Sequence, residues 1–179
     1  MAIYTTNNKI WKLDNKWVNK SDPVDPYNPL GLPPNTIRCK FSSGYTPRMG
    51  NTRTLVDSTN NVWDIYKSSN NWEDLFNNNG NLLEILGANT SNVTNMDYMF
   101  FYCTELTSIP LFDTRNVTTM AGMFYNCRKV ESGALALYQQ ASSQTNPPTN
   151  HNGTFYNCGI DTVTGAAELE QIPWGWKDV

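Results

Sequence analysis

Charge is scarce in this chain. Only 16% of its 179 residues are Asp, Glu, Lys or Arg, and they leave a net charge of −3. There is no stripe of Lys or Arg, so the chain lacks the clustered cations that phosphate backbones require, and no nucleic-acid partner is expected. No apolar run approaches the roughly 18–20 residues of a membrane-spanning helix, so membrane insertion is not expected either. Histidine occurs once, at His151, and none of the four cysteines, at positions 39, 103, 127 and 158, stands in a CxxC pair. Zinc and similar ions are held by such pairs and by closely spaced histidines. Neither a metal nor any other cofactor is expected. Glycine-rich phosphate loops and nucleophile–base motifs are missing too. The chain therefore reads as non-enzymatic, with His151 an exposed loop residue and the cysteines reduced, packed thiols. The first eight residues have neither the basic nor the apolar region of a secretory signal, and no lipobox cysteine follows.

Asn, Ser and Thr take the place of the missing charge, and 12% of the residues are aromatic. That aromatic share argues against disorder, because disordered chains lack the large apolar groups that offset ordering entropy. The length suits one well-buried domain with a short appendage.

Residues 1–20 read as a hairpin turned at Asp14-Asn15, a dipeptide that tolerates φ > 0. A lone hairpin is marginal in water, so Trp11, Leu13, Trp17 and Val18 are expected to pack against something, as a docking element for another subunit or against this chain. Residues 21–34 form a Pro-rich linker in which Pro23, Pro26 and Pro29 recur every third residue. That spacing lines one edge of a polyproline helix, a stiff spacer. Residues 35–179 read as one compact head. Within it Thr36-Ile37-Arg38-Cys39-Lys40-Phe41 alternates like a strand, and residues 54–57 and 62–66 flank a turn as a second hairpin.

A shift of 24 residues aligns the middle of the chain with itself. Trp72, Leu75 and Phe76 fall on Met96, Met99 and Phe100, and these on Met120, Met123 and Phe124. Leu82 matches Leu106 and Val130, and Cys103 matches Cys127. The units run over about 68–91, 92–115 and 116–139. Each apolar triplet at i, i+3, i+4 predicts a short helix. Thr94 or Thr118 would cap it, with Asp97 completing a capping box in the second unit. The spacing Leu106-x-x-Ile109-x-Leu111 predicts a short strand after each helix, and stacked units would share one core. Past residue 130 the pattern fades. Residues 132–140 read as a helix, Thr154–Cys158 as a displaced echo, and residues 164–172 as a final helix stopped by Pro173 and covered by Trp174 and Trp176.

The run NVTNMDYMFFYCTELTSIPLFDTRNVTTMAGMFYNC resembles the BspA-like leucine-rich repeat family, whose core reads N-V-T-x-M-x-x-M-F-x-x-C-x-x-L-x-x-I/L. The resemblance is specific over residues 92–130 and weaker over 68–91. It implies an α/β repeat fold: a short leucine-rich-repeat solenoid with a β-hairpin N-terminal cap and a helical C-terminal cap. It also implies a surface-displayed interaction module, of the kind used in bacterial adhesion and in phage virions.

In that frame the Met, Phe and Cys residues of the repeat are core, and function falls to the surface. Tyr98, Tyr102, Tyr125, Asn126, Tyr156 and Asn157 form a candidate ligand face of aromatic rings and amides suited to glycans. The expected setting is a bacteriophage virion surface, in a fibre or decoration protein made in the host cytoplasm. Its partners would be other virion proteins, further copies of itself and a host-surface glycan or protein. The alternatives are a bacterial cell-surface adhesin whose export segment is missing, and an intracellular protein-interaction scaffold.

Overall fold

A computed structural model describes the backbone of residues 10–13 and 16–19 and the whole of residues 25–178. Strand β1 (Ile10–Leu13) pairs antiparallel with β2 (Lys16–Asn19), with Trp11 opposite Val18 and Lys12 opposite Trp17. The side chains of Trp11, Leu13, Trp17 and Val18, on which the docking expectation rests, lie outside the described residues.

Residues 25–34 do not extend as a polyproline helix. They turn twice, with Asn28 N–H donating to Asp25 O (3.1 Å) and Gly31 N–H to Asn28 O (3.0 Å). The Asn28 side chain bonds both backbone groups of Leu32, Asn89 Nδ2 donates to Leu32 O, and the Arg115 guanidinium lies over the Tyr27 ring at 5.4 Å. Two prolines are therefore spent on turns that clasp the head.

The head opens with a four-stranded antiparallel sheet in the order β4-β5-β3-β6: β3 (Thr36–Phe41), β4 (Thr52–Asp57), β5 (Val62–Tyr66) and β6 (Leu82–Asn89). Alternation places Ile37, Cys39 and Phe41 on one face of β3, and all three are buried. On the other face Arg38 sits opposite Asp64 and grips it through two bonds of 2.7 and 2.8 Å. Lys40 likewise sits opposite Glu84 and reaches it at 2.7 Å.

The fold class expected from the repeat is corrected here. The regular elements of the head are this small antiparallel sheet and two short helices, α1 (Ala134–Ser142) and α2 (Val163–Gln171). They do not form a leucine-rich-repeat solenoid with a helix and a strand in each unit. The triplets Trp72/Leu75/Phe76, Met96/Met99/Phe100 and Met120/Met123/Phe124 lie in turns, at 71–79, 95–103 and 119–127, and a fourth turn segment spans 150–158. Asp74, Asn78, Tyr98, Tyr102, Gly122, Asn126, Gly153 and Asn157 all have φ between 53° and 62°, a sign a right-handed helix cannot contain. Amide groups that a helix would use internally point sideways instead. Trp72, Asp74, Phe76 and Asn78 donate to the carbonyls of Asn95, Asp97, Met99 and Phe101 at 2.7–3.1 Å. The predicted strand at Leu106–Leu111 reduces to a single bridge, Ser108 to Ser132. No capping box forms: Asp97 reaches across to Thr119 Oγ1 (2.5 Å) and Ala121 N (2.6 Å).

The apolar members of the turns, Trp72, Leu75, Phe76, Met96, Met99, Phe100, Cys103, Leu106, Met120, Met123, Phe124 and Cys127, are all buried. Phe76, Phe100, Phe124 and Phe155 form a column with centroids 5.1–6.1 Å apart. Trp176, from a single 3₁₀ turn at Trp174–Trp176, closes the column 6.3 Å from Phe155. Trp174 stays 72% exposed.

Candidate functional site

At one corner of the turn segments the chain leaves an aromatic surface. Residues 77, 101, 125 and 156 occupy equivalent places, since Asn78 N–H donates to Phe101 O, Tyr102 N–H to Tyr125 O and Asn126 N–H to Tyr156 O. Asn77 carries no ring, so the column starts at Phe101. Phe101 stacks on Tyr125 at 4.8 Å with 24° between planes, and Tyr125 on Tyr156 at 4.5 Å with 16°. Tyr102 tilts against both Phe101 (4.8 Å) and Tyr125 (5.8 Å). Tyr98 meets the edge of Phe101 at 5.5 Å and lies over Gly122, where an added Cβ would stand 2.6 Å from its ring.

The spacing of this ladder is imposed by the backbone. Neighbouring segments are held by peptide hydrogen bonds at close to a β spacing, about 4.8 Å, which is within the preferred range for offset ring stacking. Tyr98 and Tyr102 sit at left-handed positions, which lifts their side chains clear of the core. They are 41% and 40% exposed.

All four tyrosines named from the sequence thus come together. The two asparagines join them differently: Asn157 Nδ2 donates to Asn126 Oδ1 at 2.9 Å, and Asn126 is buried. Phe101 is the ladder member that the sequence reading missed. The same 24-residue shift that found the core places it on Tyr125, and that was the available signal.

Other polar groups are engaged structurally. His151 lies flat on Trp176 at 4.1 Å with 1° between planes and contacts Gly175 O through Nδ1 at 3.0 Å. Among the described residues no group of three or more His, Cys, Asp or Glu could hold a metal ion, and no helix is long and apolar enough to cross a membrane. The four cysteines are free and buried. Cys103 and Cys127 point their sulfurs at the carbonyls of Phe76 and Phe100, at 3.2 and 3.0 Å. Burial pushes the Cys103 thiol up to about 12 and raises Cys39, Cys127 and Cys158 as well.

No curated protein and no solved structure matches the chain. A family model does, over residues 48–159, a span that begins just before β4 and contains the whole ladder. The chain belongs to the family described as Mycoplasma protein of unknown function, DUF285.

Proposed function

We propose that this protein is a non-catalytic attachment protein displayed on a bacteriophage virion, whose head contacts the bacterial surface through the aromatic ladder. The single observation behind the proposal is the ladder itself. Phe101, Tyr102, Tyr125 and Tyr156 form a contiguous ring surface outside the core, although an aromatic column for folding already exists at Phe76–Phe155. Aromatic and amide groups together on a surface are a common composition for recognition faces. The reduced, buried thiols fit a protein that folds in a cytoplasm before release. Kinship to BspA-like surface proteins is part of the same proposal and rests on the motif at residues 92–130. Assembly through further copies and other virion proteins is part of the proposal.

One observation favours a second reading. The family is described as a Mycoplasma protein, which fits a protein of the bacterial surface itself. Immunogold electron microscopy with antibody to the full chain separates the two: label on purified particles supports the virion setting, and label confined to bacterial envelopes overturns it. Retention of the protein on intact envelopes, lost on Tyr125→Ala/Tyr156→Ala substitution, supports attachment in either setting.

A further inference from the structure

We propose that the β1–β2 hairpin of one copy docks on the outer edge of β4 in a second copy, extending that copy's sheet and linking the two heads. The proposal rests on the self-assembly named in the attachment reading and specifies its contact; the aromatic ladder takes no part in it.

The head presents an open sheet edge. On the β3 side of β5, Phe41 N–H donates to Asn61 O and Lys67 N–H to Asn35 O. Alternate residues of β5, Trp63 and Ile65 among them, therefore turn their peptide groups toward β3. Asp64 and Tyr66 turn theirs toward β4, where they pair with Thr54 and Thr52. Arg53 and Leu55 are left with N–H and C=O pointing away from β5. β4 ends the sheet order, so no strand receives these groups among the described residues. β6, at the other end, is continued into the next unit, where Thr107 N–H donates to Leu83 O.

Nothing on β4 shields this edge. Thr52–Val56 are all exposed, and the strand holds neither Pro nor Lys. Leu55 is 46% exposed and Val56 41%. Such an edge is a template for a further strand. The bulge between Leu55 and Asp57 confines the template to the stretch around Arg53 and Leu55.

The hairpin is the matching element. It is a two-stranded sheet whose outer edges also meet no strand among the described residues, and two strands alone are marginal in water. Chain length directs it to a different copy. Five residues, 20–24, join β2 to Asp25, and the segment that follows is fixed at the far side of the sheet. Leu30 lies over Gly87 of β6, and Tyr27 lies under the guanidinium of Arg115. Arg115 belongs to the next layer beyond β6, where Asp113 O accepts from Thr90 Oγ1. From that layer to a strand added outside β4 is five spacings, about 24 Å. Five linking residues span at most about 20 Å when fully extended. The hairpin thus stops short of its own β4 and is free to meet a neighbour's. Hairpin and edge are different surfaces, so the contact is heterologous and either closes a ring or continues as a filament.

The test is sedimentation of the full chain over a concentration series, beside Leu55→Pro and Leu55→Lys. Proline removes the outward N–H at a position where an edge strand accepts it, and lysine places a charge on the edge with the backbone intact. Wild type is expected to form assemblies that dissociate on dilution, and both variants to run as folded monomers by circular dichroism. Copies carrying Leu55→Cys and copies carrying Val18→Cys, mixed and treated with a short bismaleimide, are expected to cross-link to each other. A wild type that stays monomeric, or folded variants that assemble as it does, overturns the proposal. Cross-linking of Leu55→Cys copies among themselves overturns it in favour of β4 pairing with β4, and cross-linking only within a doubly substituted chain overturns it in favour of docking in cis. Retention of a monomeric wild type on bacterial envelopes overturns this proposal and leaves attachment standing; assembly as expected without retention overturns attachment alone.

Discussion

Glu168 of α2 caps α1 from the side: its carboxylate accepts from Gly133 N at 3.3 Å and from Leu135 N at 3.1 Å. The residue at the N-cap, Gly133, has no side chain to do this, and it cannot be exchanged easily. It has φ of 99°, and a Cβ there would stand 2.0 Å from Ile109 O. A helix start without a local cap leaves amide donors unpaired, and Glu168 supplies the acceptor from a second helix. Glu168→Ala is expected to destabilise the head by about 1 kcal/mol, in the range of a lost N-cap. Urea denaturation checks this, and an unchanged midpoint would show that solvent serves those amides equally well.

Gly122 is expected to tolerate no side chain. Its φ is +59° and a Cβ would meet Tyr98 Cδ1 at 2.6 Å, so Gly122→Ala should cost about 1–3 kcal/mol, from backbone strain and displacement of the ring. Tyr98→Ala in the same chain removes the clash and leaves the strain. The double variant is therefore predicted to lose less than the sum of the two single losses, and strict additivity would place the ring elsewhere.

Secondary structure was partly legible. β3, β5 and both helices follow from alternation, from the turn at 58–61, and from Pro173. The turn segments were not, because an i, i+3, i+4 triplet fits a helix and a pair of linked turns equally well. Only the sign of φ separates them, and the hint was chemical: Asp74, Asn78, Gly122, Asn126, Gly153 and Asn157 stand at the left-handed positions, where Asn, Asp and Gly are enriched. The strand expected after the first triplet, from the Leu82-x-x-Ile85 spacing, is present as β6, but its antiparallel pairing with β3 is tertiary information that the repeat pattern does not carry. The ladder tyrosines were legible, but not the stacking of Tyr125 between Phe101 and Tyr156, since stacking depends on segment spacing.

Acid should weaken the head through Asp113. A bidentate hydrogen bond from Arg115 holds the Asp113 carboxyl below its usual range. The folded value is the lower one, so this contribution is complete above the unfolded carboxylate value, about 3.9, and is lost as pH falls through the folded value. Asp57 and Asp161 are lowered too and act with the same sign. Arg115→Ala should flatten the acid limb of a stability-against-pH curve, and an unchanged limb would assign it to other carboxylates.

Thiol chemistry tests the interior. The folded cysteines have raised values, so their contribution is complete below the unfolded thiol value, about 8.5, and is lost as pH rises toward the folded values. A thiol reagent at pH 8 should modify no cysteine in the native protein and all four in denaturant. Rapid native labelling would contradict the burial of Cys39, Cys103, Cys127 and Cys158.

The central claim is that the ladder is the contact surface. Its most direct measurement is retention of the full chain on intact bacterial envelopes, wild type beside Tyr125→Ala/Tyr156→Ala, with both proteins shown to be folded by far-ultraviolet circular dichroism. Wild type is expected to be retained and the double variant to wash through. Equal retention of a folded double variant would contradict it.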